Sequence, residues 1–225
     1  PMTPLNAGQG PNRRFAFTHA PLADLKRAGK AQGATVNDAL LAAVAGMLRR
    51  YLDAAGEPSA KPLVALVPVS VRRPGEEGGN AISTVLVDLP VDEADVAARI
   101  VRVHEAMTEI KQSAAIRAGA LLAGAGGWAP PLVSSTLARA TGGLRAFNLV
   151  VSNVPGPQQP FWLNGCRLEA IHPAVPLNPA TQGLSVGIIS YDGTVCFGLL
   201  ADRDLDPPLA VVADGLRAAL AELCA

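Results

Sequence analysis

Apolar residues recur at helical spacing most clearly after Thr35. Leu40, Leu41, Val44, Met47, Leu48 and Leu52 fall on one side of a predicted helix. Thr35 is a natural N-cap, and Asp38 three residues on completes the spacing of a capping box, with Asp in place of Glu. Ala39, Ala42, Ala43 and Ala45 fill the remaining girth, so this helix should be deeply buried. Arg49 and Arg50 fall in its last turns, where cations suit the dipole. Three further helices are expected. One lies within Pro21–Gly29, with Leu22 and Leu25 on one face. One runs from Asp92 to about Ala115, with Val96, Ile100, Val103, Met107 and Ile110 inward. The last closes the chain from Pro207 to Leu223.

Strands are predicted between them. Phe15–Phe17 reads as a short one. Leu63–Val71 is almost continuously apolar, which suggests a central strand covered on both faces. Ala81–Leu89 alternates and stops at Pro90. Phe147–Val154 precedes the turn Pro155-Gly156-Pro157. Phe161–Leu163 and Arg167–His172 flank an Asn164-Gly165 turn, and Leu184–Ser190 pairs with Thr194–Leu200 through Asp192-Gly193. Residues 1–14 read as a linker, and 15–225 as one domain. The order is not the regular alternation of a doubly wound sheet; it predicts an α/β (α+β) fold, a mixed sheet with helices layered on one side.

The stretch 116–141 is apolar but broken by Gly119, Gly124, Gly126, Gly127 and Pro130-Pro131. It reads as two short helices around a break. They either pack on the domain or, with Arg117, Trp128, Arg139 and Arg145, border an apolar ligand or a membrane surface.

Composition narrows the function. The 225 residues carry 19 basic and 19 acidic side chains, and aromatics make up 4%. Neither a phosphate-tracking stripe nor a base-stacking platform is present, which argues against nucleic acid. Charged residues are only 17%, so some surface is expected to be covered by a partner, another domain or lipid. Cys166, Cys196 and Cys224 are far apart and read as buried thiols of a reducing compartment. No apolar run is long enough to span a membrane. The opening Pro-Met-Thr-Pro reads like the interior of a longer polypeptide.

No nucleophile-and-base pair, P-loop or dinucleotide fingerprint is found. His19, His104 and His172 have no ligand-spaced neighbour, and each reads as structural or surface. Four polar clusters lie in apolar surroundings. Asn37-Asp38 opens the buried helix, as a cap or facing a ligand. Arg72 ends a strand. Ser152-Asn153 ends another, either capping a turn or lining a cleft. Asn178 reads as a turn residue.

Taken in order, five runs resemble the C-terminal half of bacterial wax ester synthase/acyl-CoA:diacylglycerol acyltransferases. They are Thr35-Val36-Asn37-Asp38-Ala39-Leu40-Leu41-Ala42, Pro68-Val69-Ser70-Val71-Arg72, Gly79-Asn80, Asn148 through Pro157, and Ser190-Tyr191-Asp192-Gly193. The resemblance covers essentially the whole chain, and Thr3-Pro4-Leu5-Asn6 fits the family's crossing between halves. It implies one lobe of the two-lobe sandwich of CoA-dependent acyltransferases, with residues 1–14 as interlobe linker.

It further implies transfer of a fatty acyl group from acyl-CoA, a substrate rather than a cofactor, to a long-chain alcohol or diacylglycerol. No metal is implied. The family's His-His-x-x-x-Asp-Gly motif is absent from this sequence, so the catalytic base is expected on an N-terminal lobe, the principal partner, and this chain alone is expected to be inactive. Related carnitine acyltransferases use a Ser-Thr-Ser-Gln-x-Pro strand near the oxyanion. By that likeness Ser152 would support it, while Asn37, Asp38, Arg72 and Asn153 would bind substrate or brace the tunnel wall. A cytoplasmic protein, or one in peripheral contact with the inner membrane or lipid bodies, is implied. The competing expectation is a non-catalytic module that binds acyl-CoA or a protein.

Overall fold

Thr35 caps the helix around which the fold is layered. The computed structural model describes residues 2–6, 10–70, 82–112, 147–177 and 182–225. The capping box forms as the spacing predicts: the Asp38 N–H donates to Thr35 Oγ1 and the Thr35 N–H to Asp38 Oδ2. This helix, α2 (Val36–Ala54), follows α1 (Leu22–Ala31) and packs against α1, α3 (Val96–Gln112) and α4 (Leu209–Cys224). It is buried around most of its girth, as its alanine-filled pattern requires. Arg49 and Arg50 serve contacts more specific than the dipole. Arg49 donates to the Val91 and Asp92 carbonyls, and Arg50 pairs with Glu222 on α4. Helix α3 begins at Val96, later than expected, because Asp95 caps it by accepting from the Ala98 N–H.

A six-stranded mixed sheet lies under the helices. Its strands are β1 (Arg13–Pro21), β2 (Leu63–Ser70), β3 (Ile82–Leu89), β4 (Leu149–Val154), β7 (Leu184–Tyr191) and β8 (Thr194–Asp202), ordered β1-β8-β7-β4-β2-β3. β2, β4 and β7 run parallel, and the other pairings are antiparallel. A separate hairpin joins β5 (Trp162–Leu163) and β6 (Cys166–Arg167). Both tight turns take the left-handed backbone their Asn-Gly and Asp-Gly pairs favour, with φ of 50° and 80° at Asn164 and Gly165, and 44° and 77° at Asp192 and Gly193.

Several boundaries depart from expectation. β1 is nine residues rather than three, because β8 offers a partner along its whole length. β2 is interior, but only Leu63, Ala65 and Val67 are fully buried; Val64, Leu66 and Pro68 on the other face are half-buried. The expected strand Arg167–His172 pairs only at Cys166–Arg167. Its remainder runs as an extended segment across the sheet face away from the helices. That segment is why β7 and β8 are buried on both faces. Val175 accepts a 2.6 Å hydrogen bond from Ser185 Oγ, and Pro173 lies on the cross-strand pair Gly187 and Gly198. Within the opening segment Leu5 is fully buried, and Asn148 Nδ2 donates to Asn6 Oδ1 over 2.8 Å. Cys196 is buried, but Cys166 is exposed, since the hairpin that carries it stands off the sheet.

Candidate functional site

Ligands of open α/β sheets gather beyond the carboxyl ends of parallel strands. Here three such ends lie side by side: Val69 on β2, Ser152-Asn153 on β4 and Ser190 on β7. A cleft of about 410 Å³ opens there between the sheet, the start of α2 and the end of α3. Leu40, Val67, Val69 and Met107 give it apolar walls, and Asn37 and Asn153 supply polar groups. A second cleft, of about 370 Å³, is lined by Glu57, Asp202, Asp204 and Asp206. Among these, Asp202 is held by Arg13 at 3.0 Å.

The first turn of α2 is pinned from two directions. Asn153 Nδ2 donates to Asn37 Oδ1 over 3.0 Å, tying the helix start to β4. Asp38 turns the other way and is only 1% exposed. Its Oδ2 accepts from the Thr35 N–H at 2.9 Å and faces His104 Nδ1 on α3 at 2.8 Å. A carboxylate that buried needs donors, so the pair favours the imidazole tautomer with hydrogen on Nδ1. Asp38 Oδ1 is buried without a hydrogen-bond partner, which leaves Oδ2 to serve both donors. His104 therefore belongs to the site's support. Its position on the polar side of a helix concealed this, because the carboxylate it meets lies 66 residues away in the chain.

Asn37, Asp38 and Asn153 are thus brought together, and Ser152 is not. Successive strand residues face opposite sides. Asn153 is on the helix side, while Ser152 is beside Gly187 on the other. The expected Ser152-Asn153 cluster is therefore two groups on two faces. Arg72, Asn178, Gly79-Asn80 and the broken apolar stretch 116–141, with Trp128, lie outside the described residues.

The other two histidines share the sheet face opposite the helices. His172 stacks on Phe17 with ring centroids 4.1 Å apart. Its Nδ1 is buried without a hydrogen-bond partner. Burial first, and the nearby His19 second, push its pKa below the ordinary 6.5. The unfolded chain therefore takes up this proton before the native one does. As pH falls through the window just below 6.5, native stability should fall with it, and the contribution is complete above that window. Urea midpoints taken across the window should decline less in His172→Phe than in the unaltered chain; equal declines would assign the acid sensitivity elsewhere. Among the described residues no group of His, Cys, Asp and Glu could hold a metal ion, and no helix is long and apolar enough to cross a membrane.

Comparison with known proteins bears on what this arrangement serves. Residues 78–224 match the model of the WS/DGAT C-terminal domain, and residues 1–40 that of the wax ester synthase/diacylglycerol acyltransferase catalytic domain. A Mycobacterium tuberculosis protein, named as a candidate diacylglycerol O-acyltransferase, is 40% identical over 98% of this chain and 46% of its own length. The O-acyltransferase WSD of Acinetobacter baylyi is 31% identical over 92% of this chain and 45% of its own. The chain spans about half the length of these curated relatives. The solved wax ester synthase/diacylglycerol acyltransferase of Marinobacter aquaeolei superposes with a TM-score of 0.76 at 31% identity. That match covers 99% of this chain and 51% of the other. The epimerization domain of tyrocidine synthetase B, at 15% identity and a TM-score of 0.59, shares the fold.

Proposed function

The chain belongs to the wax ester synthase/diacylglycerol acyltransferase family, and on that premise we propose that it is the C-terminal lobe of an O-acyltransferase. The reaction moves a fatty acyl group from acyl-CoA to a long-chain alcohol or a diacylglycerol. The observation that carries this reading is the apolar cleft at the parallel strand ends, edged by the Asn37–Asn153 pair. Such a wall suits an acyl chain, with a few fixed polar groups to orient the reacting end.

In this reading the base comes from the His-His-x-x-x-Asp-Gly motif of an N-terminal lobe. It takes the proton of the acceptor hydroxyl, whose oxygen attacks the thioester carbonyl. The tetrahedral oxyanion then collapses to an ester and expels CoA as thiol. Ser152 lies on the face of β4 opposite this cleft, so the reading gives it no contact with that oxyanion. Asn37 and Asn153 hold the tunnel wall, Asp38 holds the helix that carries it, and Arg72, two residues beyond β2, remains with the substrate-binding group. An acceptor of this kind is delivered from a lipid surface, so peripheral contact with the inner membrane or lipid bodies is part of the reading.

The test is turnover by the complete protein, given acyl-CoA with either acceptor. Ser152→Ala should leave kcat unchanged, since its hydroxyl faces away from the cleft; a loss of about a hundredfold would instead mark it as a direct oxyanion donor and move the reacting centre to the other face. Acyl-CoA binding with no turnover in the complete protein would select a non-catalytic module instead.

A further inference from the structure

The β5–β6 hairpin carries the densest exposed apolar set among the described residues. Phe161 is 53% exposed, Trp162 63%, Leu163 77% and Leu168 38%. Apolar residues scattered singly on a surface are ordinary; four within eight positions of one projection mark a contact surface. A two-residue ladder is marginal by itself in water, yet this one is fastened at its base. Tyr191, 1% exposed, uses its hydroxyl twice: it accepts from the Phe161 N–H at 2.8 Å and donates to the Leu168 carbonyl at 3.0 Å. The Leu168 N–H closes the ladder onto the Phe161 carbonyl at 2.9 Å. Arg167 pairs with Asp192, and the Gly193 N–H donates to Gln158 Oε1. The projection is therefore rigid at its root, apolar on both faces, and paired on neither outer edge among the described residues.

We infer that this hairpin docks on the remainder of the catalytic lobe. The inference rests on the two-lobe reading above and names the surface that joins the lobes. Relatives are about twice as long as this chain, and only residues 1–40 match the catalytic-domain model, so most of that domain is the natural occupant. The electrostatics disfavour lipid. Arg167, the hairpin's own cation, is already paired with Asp192, Glu169 follows it, and Asn164 stands at the tip. Among the described residues the hairpin keeps no unpaired cation to meet an anionic membrane. Free strand edges beside large apolar side chains suit addition to another sheet.

Cys166, exposed on β6, reports the outcome without any engineered label. The complete native protein is treated with N-ethylmaleimide, and alkylation of each cysteine is followed by peptide mass spectrometry. A synthetic peptide covering 161–168 sets the free rate. Native Cys166 should react about tenfold or more slowly than in that peptide. A Trp162→Asp/Leu163→Asp variant should restore the fast rate while buried Cys196 stays protected, which shows that the sheet persists. Limited proteolysis followed by size exclusion establishes separately whether the lobes stay together. Co-eluting lobes with a freely reacting Cys166 would overturn the hairpin's role and leave the two-lobe reading intact. Lobes that separate would sink both. Protection that arises only when phosphatidylglycerol vesicles are added would assign the surface to lipid and overturn the inference.

Discussion

Gly198→Ala is expected to cost about 3 kcal/mol of native stability, the upper part of the overpacking range. A Cβ there would overlap the carbonyl oxygen of Pro173 and come within 2.9 Å of its carbonyl carbon. Both are backbone atoms, so no rotamer change relieves the clash. The crossing segment would have to rise off the sheet, loosening the Ser185–Val175 hydrogen bond and the stack of His172 on Phe17. Its neighbour in register supplies a graded comparison. At Gly187 the added Cβ meets the Cβ, Cγ and carbonyl oxygen of Pro173, each at 3.0 Å, tight but without overlap. Gly187→Ala should therefore cost about 1 kcal/mol, at the lower end of the same range. Urea unfolding of the two variants should rank them in that order. A Gly198→Ala protein as stable as its parent would mean that the segment does not seat on the sheet.

The second large effect is expected at Asp38. Asp38→Ala removes a capping-box acceptor, worth about 1 kcal/mol, and a charge-assisted bond to His104, worth about 1.5–3 kcal/mol. A loss of about 2.5–4 kcal/mol follows. His104→Ala should cost less, because it removes the same contact but leaves the capping box of Thr35 and Asp38 in place. The informative quantity is the coupling. If the 2.8 Å contact couples the two helices, the double variant should be more stable than the sum of the single losses predicts, by about 1 kcal/mol. Additive losses would reduce the contact to a coincidence of packing. Under the proposed acyl transfer, the same pair of variants in the complete protein should raise KM for acyl-CoA, since the helix start they hold carries Asn37, assigned in that proposal to the tunnel wall.

Much of this architecture was legible along the chain. The Thr35–Asp38 capping box, the alanine-filled girth of α2 and both two-residue hairpins form where their patterns place them. β1 was underestimated because Arg13 and Arg14 look like linker residues until an edge partner exists. The segment after the hairpin was read as strand because the Asn164-Gly165 turn before it favours pairing of the runs on either side. Its backbone lies across a sheet instead of alongside one. The glycines at 187 and 198 were the available signal, since paired glycines inside central strands mark a close backbone approach.

At the site, the residues Asn37, Asp38, Ser152 and Asn153 were visible as polar islands in apolar runs. What joins them was not. Strand alternation already separates Ser152 from Asn153, but which of the two faces the helices depends on which side of the sheet is covered. His104 gave no local sign, because a histidine on a polar helix face has the same sequence pattern with or without a buried carboxylate opposite.

What short-range physics controls was readable along the chain: caps, turn conformations, the period of each apolar run, and a family resemblance written in those runs. These depend on residues a few positions apart; where packing overrides such a pattern, as in the run Arg167–His172, the local signal misleads. The tertiary structure alone decided the pairings across long separations. It set Asp38 against His104, Asn37 against Asn153, and Pro173 over two glycines. It also left an apolar hairpin standing rigidly in solvent, because a buried tyrosine hydroxyl fastens its root while nothing in the described chain covers its tip. Such contacts depend on where whole elements pack, and that packing is decided by the summed burial of the core rather than by any local pattern.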